Sequence, residues 1–300
     1  MALVGVDYFT SYFYATGEMM SALQPYNLQK YAFIAAVVIS IANAAFGILY
    51  MYPLGVFTEG GGSYTASMRY LAPGLSLAVA VVLLQDYIFT IVVSSLSGVD
   101  QLLSFRSLYS IPWYYYVGLG IALVTFTWNL TIRGRGKSAR VVFTMLEIFI
   151  FLTIAMSIGL FLAKGQGVAA LAYTQTAATP SVWTAMYHML TASMKGLVAL
   201  SGLEGMSNGI QFVVNEDFAL VKWGKKEIPR WKGLWEFYGG KSGIGRMVQT
   251  SFLFYGGLKT AFLTYFAIRF NAFDGKAGRS LVANLSFIGF SQIPGGIILY

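Results

Sequence analysis

The chain has 300 residues, of which 57% are hydrophobic and 11% charged, and its mean hydropathy is +0.64. A soluble domain carries about a quarter charged residues, so this composition excludes an ordinary soluble core. With no cysteine and one histidine, disulfide frameworks, thiolate metal sites and zinc motifs are excluded too. The net charge of +8 reads as the Lys/Arg excess of cytoplasmic membrane loops rather than a nucleic-acid footprint.

Apolar runs of roughly 20 residues, each long enough to cross a bilayer as a helix, alternate with polar breaks. The ten-residue alternation of an outer-membrane barrel is missing. Eight spans are predicted, at 3–23, 31–53, 74–98, 113–132, 140–163, 182–214, 247–270 and 281–300. The fold class is therefore an all-α polytopic transmembrane bundle forming a single domain, 1–300. The first span lacks a basic leader and a small-residue cleavage site, so it is not a signal peptide. It carries Asp7, Ser11, Tyr14 and Glu18 on one helical face. The third carries Asp86, Thr90, Ser94 and Ser97 in a second stripe, and the fifth holds Glu147.

The sixth span opens near His188, which reads as an interfacial residue, and continues through Lys195. It then carries a third stripe of Ser201, Glu204, Asn208, Gln211 and Asn215. Ionisable groups in a membrane helix are costly and mark cavities, partners or substrate paths, so three stripes describe a solvated pathway through a bundle. The bland reading differs by residue. Span serines and threonines usually serve helix packing, and Glu18 and Asp86 stand near span ends where a carboxylate is simply solvated. Glu204 lies deeper, beside Gly202 and Gly205. With Gly209 these glycines predict a break in the sixth span whose bared amides and carbonyls would serve as ligands. Close glycine packing between helices is the competing reading. A weaker break is predicted in the first span, around Asp7–Ser11.

The segment 215–246 is the one sizeable polar piece, with Trp223, Trp231, Trp235 and Pro229. It predicts a cytoplasmic interfacial loop with tryptophans at headgroup depth. Lys259 falls inside the seventh span, and Glu147 is a candidate partner for it or for Lys195. Loops after even-numbered spans hold twelve Lys/Arg against six after odd-numbered ones, which puts the N-terminus in the cytoplasm. The last run stops at Ile298-Leu299-Tyr300 without a polar flank, so the sequence reads as part of something longer. Gly136-Lys137-Ser138 and Gly240-Lys241-Ser242 lack the earlier glycine of a phosphate loop, and neither follows a strand.

The run Glu59-Gly-Gly-Gly-Ser-Tyr-Thr-Ala-Ser-Met-Arg-Tyr-Leu-Ala-Pro-Gly74, leading into Leu84-Gln-Asp-Tyr87, resembles the cytoplasmic loop and third helix of amino acid–polyamine–organocation (APC) permeases. Leu200-Ser-Gly-Leu-Glu204, followed by Asn215-Glu216-Asp217, is similar to that family's sixth helix and its acidic exit. The resemblance implies a LeuT-type inverted-repeat fold, incomplete here at about eight of ten or more spans, in a bacterial-type inner membrane. It also implies a proton-coupled symporter for an amino acid or amine, with no enzyme activity and no cofactor or metal. The family's Gly-x-Gly break in helix one is replaced by Gly5-Val6-Asp7-Tyr8-Phe9-Thr10-Ser11, which suits an amine or cation better than a carboxylate. Asp7 with Tyr14, and Thr90 with Ser94, are similar to potassium-uptake permeases, so potassium import is the alternative. The implied ligands are Asp7, Ser11, Tyr14, Thr90, Ser94, Ser201, Gly202 and Glu204. The proton-coupling candidates are Glu18, Asp86, Glu147, Lys195 and Glu204.

Overall fold

A computed structural model of the chain describes residues 2–104, 112–132, 135–164, 180–273 and 279–296. Among them the regular structure is helical throughout. Helix α1 (Ala2–Leu23) is joined by two short 3₁₀ turns to α2 (Ala32–Val56). Then come the short α3 (Gly62–Tyr70), the long α4 (Pro73–Ser104), α5 (Trp113–Ile132) and α6 (Arg135–Leu162). The sixth apolar run divides into α7 (Val182–Gly196), a 3₁₀ stretch Leu197–Leu200, and α8 (Ser201–Gly209). Two small helices, α9 (Ala219–Glu227) and α10 (Lys232–Phe237), precede α11 (Gly240–Phe270) and α12 (Leu281–Ser291).

The stretches Gln29–Val56, Pro73–Ser104 and Arg140–Leu162 are each long and apolar enough to cross a membrane. Large apolar side chains on α4 and α5 remain open to the surroundings, among them Leu77 at 66%, Phe89 at 66% and Trp128 at 67%. A lateral surface of this kind suits a hydrocarbon solvent.

Helix α1 lies at the centre, packed by α2, α6, α7, α8 and α11. Its C-terminal half enters one apolar cluster through Met19, Met20 and Leu23, which meet Ala35, Ile39, Leu160, Leu263 and Phe266. Its N-terminal half enters a second cluster through Tyr8, Tyr12 and Ala15, which meet Leu54, Leu203, Met206 and Phe252. Small residues let backbones approach. Helices α6 and α12 cross where Gly159 faces the backbone of Gly289, so closely that any Cβ there would strike a carbonyl.

Two sequence expectations change. The first span is unbroken: α1 runs continuously through Asp7–Ser11. No glycine or proline weakens that stretch, and its buried hydroxyls find partners sideways, so the backbone hydrogen bonds stay intact. The sixth span does lose α-helical geometry, but at Leu197–Leu200 rather than at Gly202–Gly209, which is helical. Leu197 and Leu200 keep right-handed dihedrals (φ −65°, ψ −12° and φ −80°, ψ −12°). The irregularity is therefore a tightening that keeps its hydrogen bonds local, not an unwinding that bares them.

The segment 215–246 is helical in part. Helices α9 and α10 fold against each other around Trp235, which is buried with Nε1 donating to the Ile228 carbonyl at 2.9 Å. Gly224 lies flat against the Trp235 ring, leaving no room for a Cβ. Trp223 and Trp231 stay half exposed at 52% and 51%, as headgroup anchors would.

Candidate functional site

A cavity of about 630 Å³ opens between α1, α4, α6 and α12. Thr10, Tyr14, Ser94, Ser97, Gln101 and Thr153 supply polar groups to a largely apolar wall that includes Phe13, Phe149, Leu152 and Phe290. This size and mixture suit a small ligand oriented by few polar contacts. A second cavity of about 190 Å³ shares Phe13, Tyr14, Ser97, Gln101 and Val282 with the first and adds Glu18, Asp100 and Tyr116. Asp100 accepts a 2.6 Å hydrogen bond from the Tyr116 hydroxyl.

Two of the sequence-predicted ligands, Tyr14 and Ser94, therefore meet in one cavity. Ser11 is fully buried behind it and accepts from the Tyr14 hydroxyl at 2.8 Å. Thr90 and Asp86 are half-buried on α4 away from the cavity wall. Glu18 is exposed and reaches only the smaller cavity. The side chains of Asp7 and Ser201 lie outside the described residues. Glu147 and Lys195 are exposed on the lateral surface. Neither they nor Lys259 form an ion pair; those found among the described residues are surface pairs such as Glu59–Arg69 and Asp217–Lys225. Of the two candidate partners for Glu147, neither pairs with it: Glu147 and Lys195 are exposed, whereas Lys259 is buried. His188 stacks on Tyr26, ring centroids 3.4 Å apart.

The polar stripe of the sixth span does not line the cavity. It forms a seam with the glycine loop that leads into α3. Gly60, Gly61 and Gly62 all take positive φ (91°, 85° and 47°), which only glycine adopts freely. They turn the chain so that α3 begins against α8. Glu204, 6% exposed, accepts the backbone N–H of Ser63 at 3.0 Å and the Tyr50 hydroxyl at 3.4 Å. A carboxylate at a helix N-terminus satisfies an orphan donor and meets the positive end of the helix dipole. A Cβ on Gly62 would sit 2.6 Å from Ser207 Oγ and 2.7 Å from Asn208 Oδ1. The Asn208 amide donates to the Tyr87 hydroxyl, tying α8 to α4. Further along, Asn215 Oδ1 accepts the Lys241 N–H at 3.0 Å and Asp217 accepts from Gly240 N and Lys225 Nζ. The glycine-rich loop and the sixth-span stretch, separate in sequence, are thus one hydrogen-bonded unit. Gly202 serves packing: its Cβ would lie 2.9 Å from Tyr8 Cα.

Three polar residues that the sequence did not single out hold α1, α2 and α11 together. Tyr12 Oη donates to Asn43 Oδ1 at 2.7 Å, Tyr8 Oη donates to the Phe252 carbonyl at 2.7 Å, and the two hydroxyls are 2.6 Å apart. Asn43 Nδ2 donates to the Leu253 carbonyl at 3.0 Å. Gly256 faces both phenols with space for no side chain. A period-3.6 reading treats Tyr8 and Tyr12 as apolar bulk, so only their i, i+4 spacing opposite an intramembrane asparagine signals them. Helix α11 also buries Gln249, Lys259 and Thr264, whose polar side-chain atoms have no hydrogen-bond partner. No family model and no curated protein matches this chain.

Proposed function

We propose that the protein is a secondary transporter that imports an amino acid or amine together with protons. The carrying observation is a cavity of about 630 Å³, with oxygen ligands from α1 and α4, inside a bundle that includes helices able to cross a membrane. A LeuT-type arrangement of eight spans with the N-terminus in the cytoplasm accommodates this geometry. Tyr14, Ser94 and Ser97 bind the cargo, while Glu204 couples the seam to the proton. Asp7 of α1 remains a proposed ligand for substrate or proton.

The test is uptake into proteoliposomes under an inward proton gradient with labelled amino acids and polyamines. Uptake that ignores the gradient, or none from a well-folded preparation, rejects the reading. Potassium import is the second reading, favoured by the hydroxyl and amide oxygens of Thr10, Tyr14, Ser94 and Gln101 in the cavity wall. Rescue of a potassium-uptake-deficient cell at low external potassium decides for it.

A further inference from the structure

Lys259 stands in the middle of α11, only 5% exposed, and its ammonium has neither a hydrogen-bond acceptor nor a carboxylate partner. Nζ rests 4.0 Å from the centroid of the Phe13 ring and 5.7 Å from that of Tyr255. Ring faces compensate a buried cation only in part, and a buried charge left unpaired is strongly unfavourable. The position of those rings matters. Phe13 lines the large cavity, so one phenyl ring separates an unsatisfied cation from the ligand space.

The continuity of α1 sharpens the point. Its interior amides are spent within the helix, so the backbone there offers a substrate anion nothing. We propose that Lys259 is the receptor for the carboxylate of the cargo, reached when the Phe13 side chain turns aside. On the opposite side, the adjoining smaller cavity presents the carboxylates of Glu18 and Asp100, which the amine end of the same molecule faces. The cargo class is then a zwitterion, an amino acid with both ends free, rather than a polyamine or a bare cation. This inference rests on the transport reading above and narrows it.

The experiment measures thermal stabilisation of the full chain in detergent by L-amino acids, their carboxamides, putrescine and potassium chloride. The expected result is that at least one acid stabilises the wild type and its carboxamide binds at least about tenfold more weakly, the scale of losing one charge pair. K259M should remain folded, because an apolar side chain of similar length replaces a buried charge, and should bind acid and carboxamide alike. K259Q gives the same readout should K259M fold poorly. Equal binding of acid and carboxamide by the wild type, or an acid preference that survives in both variants, overturns the Lys259 assignment while leaving transport standing. A wild type that responds to none of the four probe classes overturns the transport reading and this assignment together.

Discussion

The first and sixth spans both carry polar stripes, yet they are built in opposite ways. Helix α1 is continuous from Ala2 to Leu23. Its tyrosines send their hydroxyls sideways, to Asn43 of α2 and a carbonyl of α11. The sixth span tightens into a 3₁₀ stretch between α7 and α8, and its polar groups reach the glycine loop, α4 and the segment that follows. Nothing local in Leu-Val-Ala-Leu demands that tightening, since these are ordinary helix residues. The flanking glycines explain it. Gly196 lies against Ile39 and Met19, Gly202 against Tyr8, and the span adjusts its winding between two fixed close approaches. Polarity by itself does not break a membrane helix; backbone contacts at both ends of a short stretch do.

The largest expected effect tests that explanation. Gly202→Val would drive side-chain atoms into the backbone of Tyr8, whose Cα lies 2.9 Å from the Cβ position. It should destabilise the detergent-solubilised protein by about 3 kcal/mol, the upper range for overpacking. An unchanged melting temperature would mean that α8 is not seated on α1 as described. The counterpart on α1 is Asn43→Ala, which leaves the Tyr12 hydroxyl and the Leu253 carbonyl without their partner. Leaving buried polar groups unsatisfied costs about 2 kcal/mol, read as a fall in thermal midpoint. Asn43→Asp should not restore stability, since a carboxylate cannot donate to the Leu253 carbonyl.

How much of this was legible in the sequence varies with the kind of signal. Span positions follow from apolar runs, and 31–53 and 113–132 differ from α2 and α5 by at most a few residues. The link between the Glu59–Gly74 run and Glu204 was half legible: both stretches stood out, but their contact is a tertiary fact that spacing cannot show. The Tyr8–Tyr12–Asn43 network was hidden because tyrosine in an apolar span scores as bulk. Lys259 was visible as an intramembrane cation, whereas its lack of a partner depends on which helices surround it. The stretch Asp7–Ser11 stays helical because polarity alone does not open a backbone, and the Tyr8 hydroxyl is anchored on Asn43 and the Phe252 carbonyl.

A smaller effect concerns the seam at Glu204. Glu204→Ala removes the acceptor for the Ser63 N–H and the Tyr50 hydroxyl, and should cost about 1 kcal/mol, the usual worth of a helix cap. The loss should be local. Hydrogen exchange across 60–70 should rise while that of α2 and α11 stays unchanged. Glu204→Gln keeps an acceptor oxygen without the charge and should fall between. Equal exchange in all three proteins would show that the glycine loop holds α3 by itself.

The smallest effect lies outside the spans, at Asp217. Lys225 Nζ donates to its Oδ2 at 2.6 Å and Gly240 N to its Oδ1 at 2.8 Å; these two donors, the lysine first, hold the carboxyl below the usual carboxylate range. The sign follows from linkage. A depressed value in the folded chain means that the clamp contributes fully above the unfolded value of about 3.9, and that the contribution is lost as pH falls through the lowered one. The pair is partly exposed, with side chains at 43% and 24%, so solvent screening keeps its effect modest and 0.5 M salt should shrink it further. Hydrogen exchange of 219–227 should therefore be flat down to about pH 5 and rise below it once the intrinsic acid dependence is corrected for. Asp217→Asn should show slightly faster exchange at neutral pH and no acid-dependent step. An identical acid step in both proteins would place the responsible carboxylate elsewhere. The start of α11 would then be held to the segment after α8 by Asn215 and its bond to the Lys241 N–H rather than by charge.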